Sequence, residues 1–566
     1  MAKNLFNRPF SVEKVNEMTG WQKLSFLTLV ILALYFAFRY VSWWFEPQHL
    51  PFNYVHTNLY INLAVNIALF SILSFAVFAG LFIKMASWVT LLSMSTPKPV
   101  KPMKGLRVAF VTCFVPGNEP VSLLKTTLKA MTEVEYPHDS WVLDEGDDDE
   151  VKALCKELGV NYFTRKGIKK YNASTGSFRA RTKAGNLNSW RDQHEKNYDI
   201  VAQIDMDHVP EKDYFNKTLG YFKDPTVGFV GMPQIYQNLK NWVAKGAAQQ
   251  TYFFYGPILK GLFGSDIPFL IGTSHVYRVD AMREINGYTT VIAEDHITGL
   301  YMHGMGWKSV YVPEILARGN GPTSWASFFN QQMRWSYGMY EILFYHALHL
   351  LPKLPLLQRV NYFLLQLYYF TGVATFVGSL LLMLYFVTGL TPANVPLEDW
   401  LLYAGPSIII SFILQWFMLR FHIDPKNEPK VTLAGILVGI GSSMVFAKAF
   451  ITFIAGRRHQ YLVTPKDAID MPPLPSNVNT FHFHNLVGSL MLICLSIGVY
   501  LNNTSYLYVF WGVVFVVSMY AIFLSNYYVV YLKALSILIK ILLAPFQIIL
   551  FPARQLGRLP VLRSFF

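Results

Sequence analysis

The sequence predicts an α-helical membrane protein carrying an inserted soluble α/β domain. Three observations predict it. Only 15% of the 566 residues are charged and 53% are apolar, whereas a soluble protein carries about a quarter charged residues, so lipid is a solvent for much of this chain. The apolar mass lies in two blocks, residues 1–95 and 346–531, separated by a polar stretch over 96–345. Inside that stretch, short strand-like runs alternate with helical patterns, which implies a mostly parallel sheet with helices on both faces.

Lys3, Arg8, Lys14 and Lys23 precede an apolar run from about Leu24 to Phe45. It is longer than a signal-peptide core and lacks a small-x-small cleavage site, so it reads as a transmembrane helix. Glu46 to Thr57 has no Lys or Arg, and a second run follows from Leu59 to Phe82, extendable to Leu92. The linker Thr96 to Pro102 closes this unit. In the insert, Arg107–Thr112, Ser140–Asp144 and Asp199–Asp205 read as strands, with Pro120–Thr132 and Glu150–Leu158 as helices. Ligands of such sheets bind beyond the carboxyl ends of the strands, where Asp144 and Asp205 sit.

The second block holds runs at about Val360–Leu390, Trp400–Leu419, Val431–Ala455, Leu486–Leu501 and Tyr506–Tyr531. Basic loops face the cytoplasm. Arg420, Lys426 and Lys430 flank one side of the third run, and Arg457, Arg458 and Lys466 the other. Laying 431–455 in the interface puts every basic segment inside, giving six transmembrane helices with both termini cytoplasmic. The tail, 532–566, mixes apolar and basic residues and reads as lying along the membrane surface.

The net charge of +13 suits cytoplasmic loops and attraction of an anionic substrate such as a nucleotide sugar. No basic stripe interleaved with aromatics marks a nucleic-acid surface. Cys113, Cys155 and Cys494 form no CxxC pair, which argues against a disulfide framework or zinc site.

Three patches carry chemistry. Asp205-Met206-Asp207 follows a strand, so two carboxylates can share a hard cation, Mg2+ or Mn2+, whose shell is completed by phosphate oxygens. His208 joins them if the metal is manganese. Such an ion neutralises a departing diphosphate. Glu294-Asp295 supplies a base for an acceptor hydroxyl, Asp295, with Glu294 orienting it. Gln331-Gln332-Met333-Arg334-Trp335 offers a cation for the diphosphate and an indole for a sugar, with Gln331 and Arg334 on one helix face.

In this order the patches resemble the membrane-integrated family-2 glycosyltransferases, specifically the processive cellulose-synthase-like group, with its DDG, DxD, TED and QxxRW motifs. Here these read Asp144-Glu145-Gly146, Asp205 to Asp207, Ala293-Glu294-Asp295 and Gln331 to Trp335. Lys183 to Asn188 resembles the group's KAGNLN segment. Tyr461-Leu462-Val463-Thr464-Pro465-Lys466 resembles the FxVTxK gating loop of bacterial cellulose synthase, with Tyr for Phe. The resemblance implies a GT-A (Rossmann-like) domain that makes and secretes a β-linked polysaccharide, with UDP-glucose and a β-glucan first. A chitin- or hyaluronan-type polymer from UDP-N-acetylglucosamine, or non-processive transfer to a polyprenyl lipid, are the alternatives.

It further implies that Asp144 and Lys183 contact UDP, that Asp205 and Asp207 bind UDP with its metal, and that Gln331 and Arg334 meet the diphosphate. Trp335, Gly272 and Thr273 would meet the acceptor, and Tyr461, Val463, Thr464 and Lys466 would gate the donor. The first two helices and the four that follow the domain would form the polymer channel. A bacterial inner membrane or another plasma membrane, a cytoplasmic catalytic domain and envelope export partners complete the expectation. Phe269 to Thr273 departs from the FFCGS acceptor patch, which admits 1,3-linked or mixed-linkage products. No PilZ-like regulatory domain follows the last helix, so direct cyclic-di-GMP control is not expected.

Overall fold

The structure, a computed structural model, describes residues 10–117, 120–426, 428, 431–457 and 476–527. Tyr461, Val463, Thr464 and Lys466, and the tail from 532, lie outside the described residues.

The insert is built on a seven-stranded sheet. In chain order the strands are β1 (Val108–Phe114), β2 (Asp139–Asp144), β3 (Asn161–Phe163), β4 (Ile200–Asp205), β5 (Val227–Gly231), β6 (His275–Arg278) and β7 (Lys308–Tyr311). Their spatial order is β7-β5-β6-β4-β1-β2-β3. β3, β2, β1 and β4 run parallel, as expected from the alternation of strands and helices. β6 is the exception, running antiparallel to both neighbours. Its first residue, His275, pairs with Gln203 near the carboxyl end of β4. The chain therefore enters β6 from the ligand side, and Gly272–Thr273 land beside Asp205.

The strands are apolar along their whole length because both faces are covered. Val108, Phe110, Ile200, Ala202 and Ile204 enter one core. The intervening Ala109, Val111 and Val201 enter the other, as the two-residue period of a strand requires.

Seven described helices are long and apolar enough to cross a bilayer: Gly20–Trp44, Leu59–Leu91, Phe370–Thr388, Leu397–Phe421, Leu433–Ile454, Val478–Tyr500 and Tyr506–Ser525. The run at Val360–Leu390 is broken into Leu356–Leu367 and Phe370–Thr388, and only the second is such a span. Leu433–Ile454, the segment expected in the interface from its flanking charge, is one of the seven. Thr432 at its start donates to Gln249 of the Trp242–Phe253 helix at 2.5 Å. At its far end the carbonyl of Arg457 accepts from Tyr337 of the Trp325–Glu341 helix at 3.3 Å. Between them Ser442 accepts from Gln250 at 3.1 Å. This helix therefore lies along elements of the insert from end to end.

Candidate active site

Asp205 closes β4, and the turn after it brings Asp207 and His208 back toward the same point. Ligand atoms of the three residues lie within 4.8 Å of one another, the one such group among the described residues. Asp207 and His208 are buried, and His208 Nδ1 lies 3.2 Å from Asp207 Oδ1. His208 Nε2 is buried without a hydrogen-bond partner. Gly319 crosses above the ring, and a Cβ there would meet Nε2 at 2.3 Å, so glycine leaves the imidazole its space. Two carboxylates and an imidazole whose Nε2 is buried and unsatisfied fit a divalent ion; the nitrogen favours manganese over magnesium.

Thr182 caps the Lys183–His194 helix. Lys183 Nζ donates to Asp205 Oδ1 and to the Gly272 carbonyl, both at 2.6 Å. Burial raises the pKa of Asp205, but the neighbouring Lys183 ammonium, with His208, holds the carboxyl below its ordinary value. The amide N–H of Asp205 donates to Thr273 Oγ1 at 3.1 Å. Lys183, Asp205, Gly272 and Thr273 thus form one connected wall.

Asp144 departs from expectation. It is fully buried and accepts from the amides of Gly146 (2.7 Å) and Asp148 (2.6 Å) and from the Tyr162 hydroxyl (2.8 Å). Its side chain holds the loop from below and does not line the cavity, where Glu145 stands instead. Glu145 is gripped by the buried Arg165, whose Nε donates to its oxygens at 3.0 and 3.1 Å. Asp147 in this loop and Arg181 and Ser274 in the neighbouring ones have φ between 55° and 57°. This region is costly for non-glycine residues; of the three, Arg181 lines the cavity, and Asp147 and Ser274 lie within two residues of its lining residues Glu145 and Thr273.

Glu294 and Asp295 open the Glu294–Gly304 helix. The amide of His296 donates to Asp295 Oδ1 at 2.8 Å. A Cβ at Gly272 would meet Asp295 Oδ2 at 2.8 Å, so the chain passes the carboxylate with no room for a side chain. Burial, then the adjacent Asp295 charge, pushes the Glu294 carboxyl up to about 7. Burial also raises Asp295, against the His296 amide that lowers it. A carboxyl whose pKa is drawn toward neutrality is suited to proton transfer.

Ser324 and Ser327 form a capping box at the start of Trp325–Glu341. A Cβ at Gly338 would strike Ala293 Cβ at 2.8 Å, so this helix packs directly on the turn before the two acids. Gln331 Nε2 donates to the Tyr236 hydroxyl at 3.2 Å, while its Oε1 is buried without a partner. Gln331, Arg334 and Trp335 line the same cavity as Lys183, Asp205, Asp207, Glu294 and Asp295. The cavity measures about 900 Å³ and continues past the acids to Lys84, Ser87 and Thr90 of the Leu59–Leu91 helix and to Tyr368. Arg165, Tyr236 and the glycine approaches were not legible in the sequence. Glu145 was, as the second residue of its motif.

Residues 200–421 match the model of "Glycosyl transferase family group 2". The chain is 29% identical over 274 residues to the UDP-forming cellulose synthase catalytic subunit of Xanthomonas axonopodis pv. citri (strain 306), covering 46% of this chain and 36% of that one. It is 29% identical over 292 residues to the corresponding subunit of Pseudomonas fluorescens (strain SBW25), covering 49% and 38%. The alignments thus span less than two-fifths of the length of these curated relatives. Among solved structures, the mannosyltransferase PcManGT from Pyrobaculum calidifontis, in complex with GDP-Man and Mn2+, aligns with a TM-score of 0.46 at 14% identity, covering 69% of this chain and all of that one.

Proposed function

We propose that this chain, a cellulose-synthase-like member of the group 2 glycosyltransferases with a GT-A-type domain set in a helical membrane bundle, is a processive inverting UDP-sugar transferase. Its product is a β-linked polysaccharide, with UDP-glucose the first donor to test, and it passes that product out between its own membrane helices. One observation carries the reading. A single cavity is lined by Asp205 and Asp207 of the three-residue cluster, by Glu294 and Asp295, and by Gln331, Arg334 and Trp335, and then continues to the membrane helix Leu59–Leu91.

Asp205, Asp207 and His208 would hold Mg2+ or Mn2+, which when bound offsets charge on the diphosphate. Lys183 and Arg334 add fixed positive charge on the same cavity wall. Asp295 accepts the proton of the acceptor hydroxyl as its oxygen bonds to the anomeric carbon. The carbon–oxygen bond to the diphosphate breaks, and that electron pair leaves on UDP. Glu294, with its pKa near neutrality, spares Asp295 a second full negative charge beside it. Trp335 supports the terminal sugar of the acceptor. Tyr461 to Lys466 would cover the donor.

In this reading six helices cross a bacterial inner or plasma membrane, with the catalytic domain cytoplasmic. Leu433–Ile454 lies at the cytosolic boundary, supported by its bonds to the insert at both ends and by Arg457 after it.

The test is purified protein in detergent with radiolabelled UDP-glucose and Mg2+ or Mn2+, run beside a panel of other UDP-sugars. A high-molecular-weight product supports the reading. A lipid-extractable monosaccharide instead refutes processive synthesis.

A further inference from the structure

The helix that carries Asp295 is tied down at its other end. His303, in its last turn, is buried. Its Nδ1 lies 2.7 Å from the Tyr362 hydroxyl and its Nε2 2.7 Å from Ser309 Oγ. Ser309 Oγ in turn donates to the Pro268 carbonyl at 3.0 Å. The donor directions follow. Ser309 uses its single proton on Pro268, so its oxygen accepts from His303 Nε2–H. Burial lowers the His303 pKa to about 3, so the ring is neutral and Nδ1 carries no proton. Nδ1 therefore accepts from the Tyr362 hydroxyl. One chain of hydrogen bonds, Tyr362 to His303 to Ser309 to Pro268, runs in a single direction.

Both ends of that chain matter for the site. Pro268 begins the segment that leads through Phe269 to Gly272 and Thr273. The ring of Tyr362 packs on Phe269 (4.8 Å between centroids) and on His296 (5.4 Å), and the His296 amide is the donor to Asp295. Tyr362 is fully buried and lies in Leu356–Leu367. The preceding residue, Asn361, accepts from Thr90 of the membrane helix Leu59–Leu91 at 2.7 Å. Adjacent side chains of one short helix thus grip the membrane helix and the acid-bearing helix.

We infer that Tyr362 is a positioning residue, through which the membrane helix Leu59–Leu91 sets the pose of Asp295 and of the Gly272–Thr273 segment for the acceptor. The inference rests on the polysaccharide-synthase reading above. Its energetic basis is that a neutral imidazole with one fixed tautomer, paired on both nitrogens inside the protein, cannot rotate without leaving buried polar atoms unsatisfied. The helix end is therefore held in one orientation.

The test compares wild type with Tyr362→Phe and His303→Gln, which retains a side-chain N–H for Ser309. For each, kcat and KM for polymerisation are measured alongside slow hydrolysis of the UDP-sugar in the absence of acceptor. Tyr362→Phe is expected to lower polymerisation kcat tenfold or more, leaving donor KM and hydrolysis within twofold of wild type. His303→Gln, keeping half of the chain, is expected to lose less. Unchanged polymerisation kcat in Tyr362→Phe overturns the inference, and so does an equal loss of hydrolysis and polymerisation, which marks a merely structural role. Failure of the wild type to polymerise any UDP-sugar refutes the functional reading instead, so the two failures are distinguishable.

Discussion

Asp295→Asn removes the proposed base with little change of shape. The Oδ1 that accepts from the His296 amide at 2.8 Å is retained as the amide oxygen, and the new NH2 replaces Oδ2 beside Gly272, where no side chain intrudes. Lys183, Asp205 and Arg334, the residues proposed to bind the donor, are untouched. What is lost is basicity, and general-base catalysis is worth about 10²–10⁴-fold, or roughly 3–5 kcal/mol at about 1.4 kcal/mol per factor of ten. The stability change has the opposite sign. Burial raises the pKa of Asp295, so ionising it works against the fold, and the neutral amide is expected to raise Tm slightly. The assay is incorporation of labelled sugar into polymer, with UDP affinity and Tm measured on the same preparations. Polymer synthesis above a tenth of the wild-type rate, with UDP affinity intact, refutes the assignment of Asp295.

Further outcomes follow from the same geometry. Both acids have raised pKa values, so transfer rises with pH as Asp295 ionises, whereas their contribution to stability is greatest when protonated and is lost as pH rises from the ordinary carboxyl range through about 7 for Glu294. Glu294→Gln mimics the protonated Glu294 and is expected to leave the acid limb of the pH–rate profile, set by Asp295, in place; a marked shift of that limb contradicts the reading that Asp295 ionises before Glu294. Asp207→Ala is expected to abolish the metal-dependent part of UDP binding in titrations with and without Mn2+, and unchanged binding contradicts the cluster. Gly338→Val would drive a side chain into Ala293, costing about 1–3 kcal/mol by overpacking; a lowered Tm together with impaired polymer synthesis is expected, and a silent variant contradicts the close approach.

Much of the sheet could be read from the sequence because continuous apolar runs such as Val108–Phe114 admit little but a strand covered on both faces. The reversal of β6 could not, because strand direction depends on where the preceding chain arrives, and the Trp242–Gly264 helices deliver it to the ligand side. Asp205, Asp207, Glu294, Asp295, Gln331, Arg334 and Trp335 meet as their order suggested, since motif acids at strand and helix ends converge on the carboxyl edge. Asp144 shows the limit of that rule. It sits at such an edge, yet its carboxylate oxygens accept from the amides of Gly146 and Asp148 and its side chain is fully buried. Arg165 and Tyr362 carried no local signal, because their partners are 20 and 59 residues away.

The most direct test of the central claim, that one cavity joins sugar transfer to passage between the membrane helices, uses sealed proteoliposomes with the catalytic domain facing outward. Labelled UDP-sugar is added outside, and the polymer formed is then exposed to an externally added glycan hydrolase before and after detergent. The account predicts product protected until the vesicles are opened. Polymer that is fully digested in intact vesicles, at undiminished rates of synthesis, would contradict it.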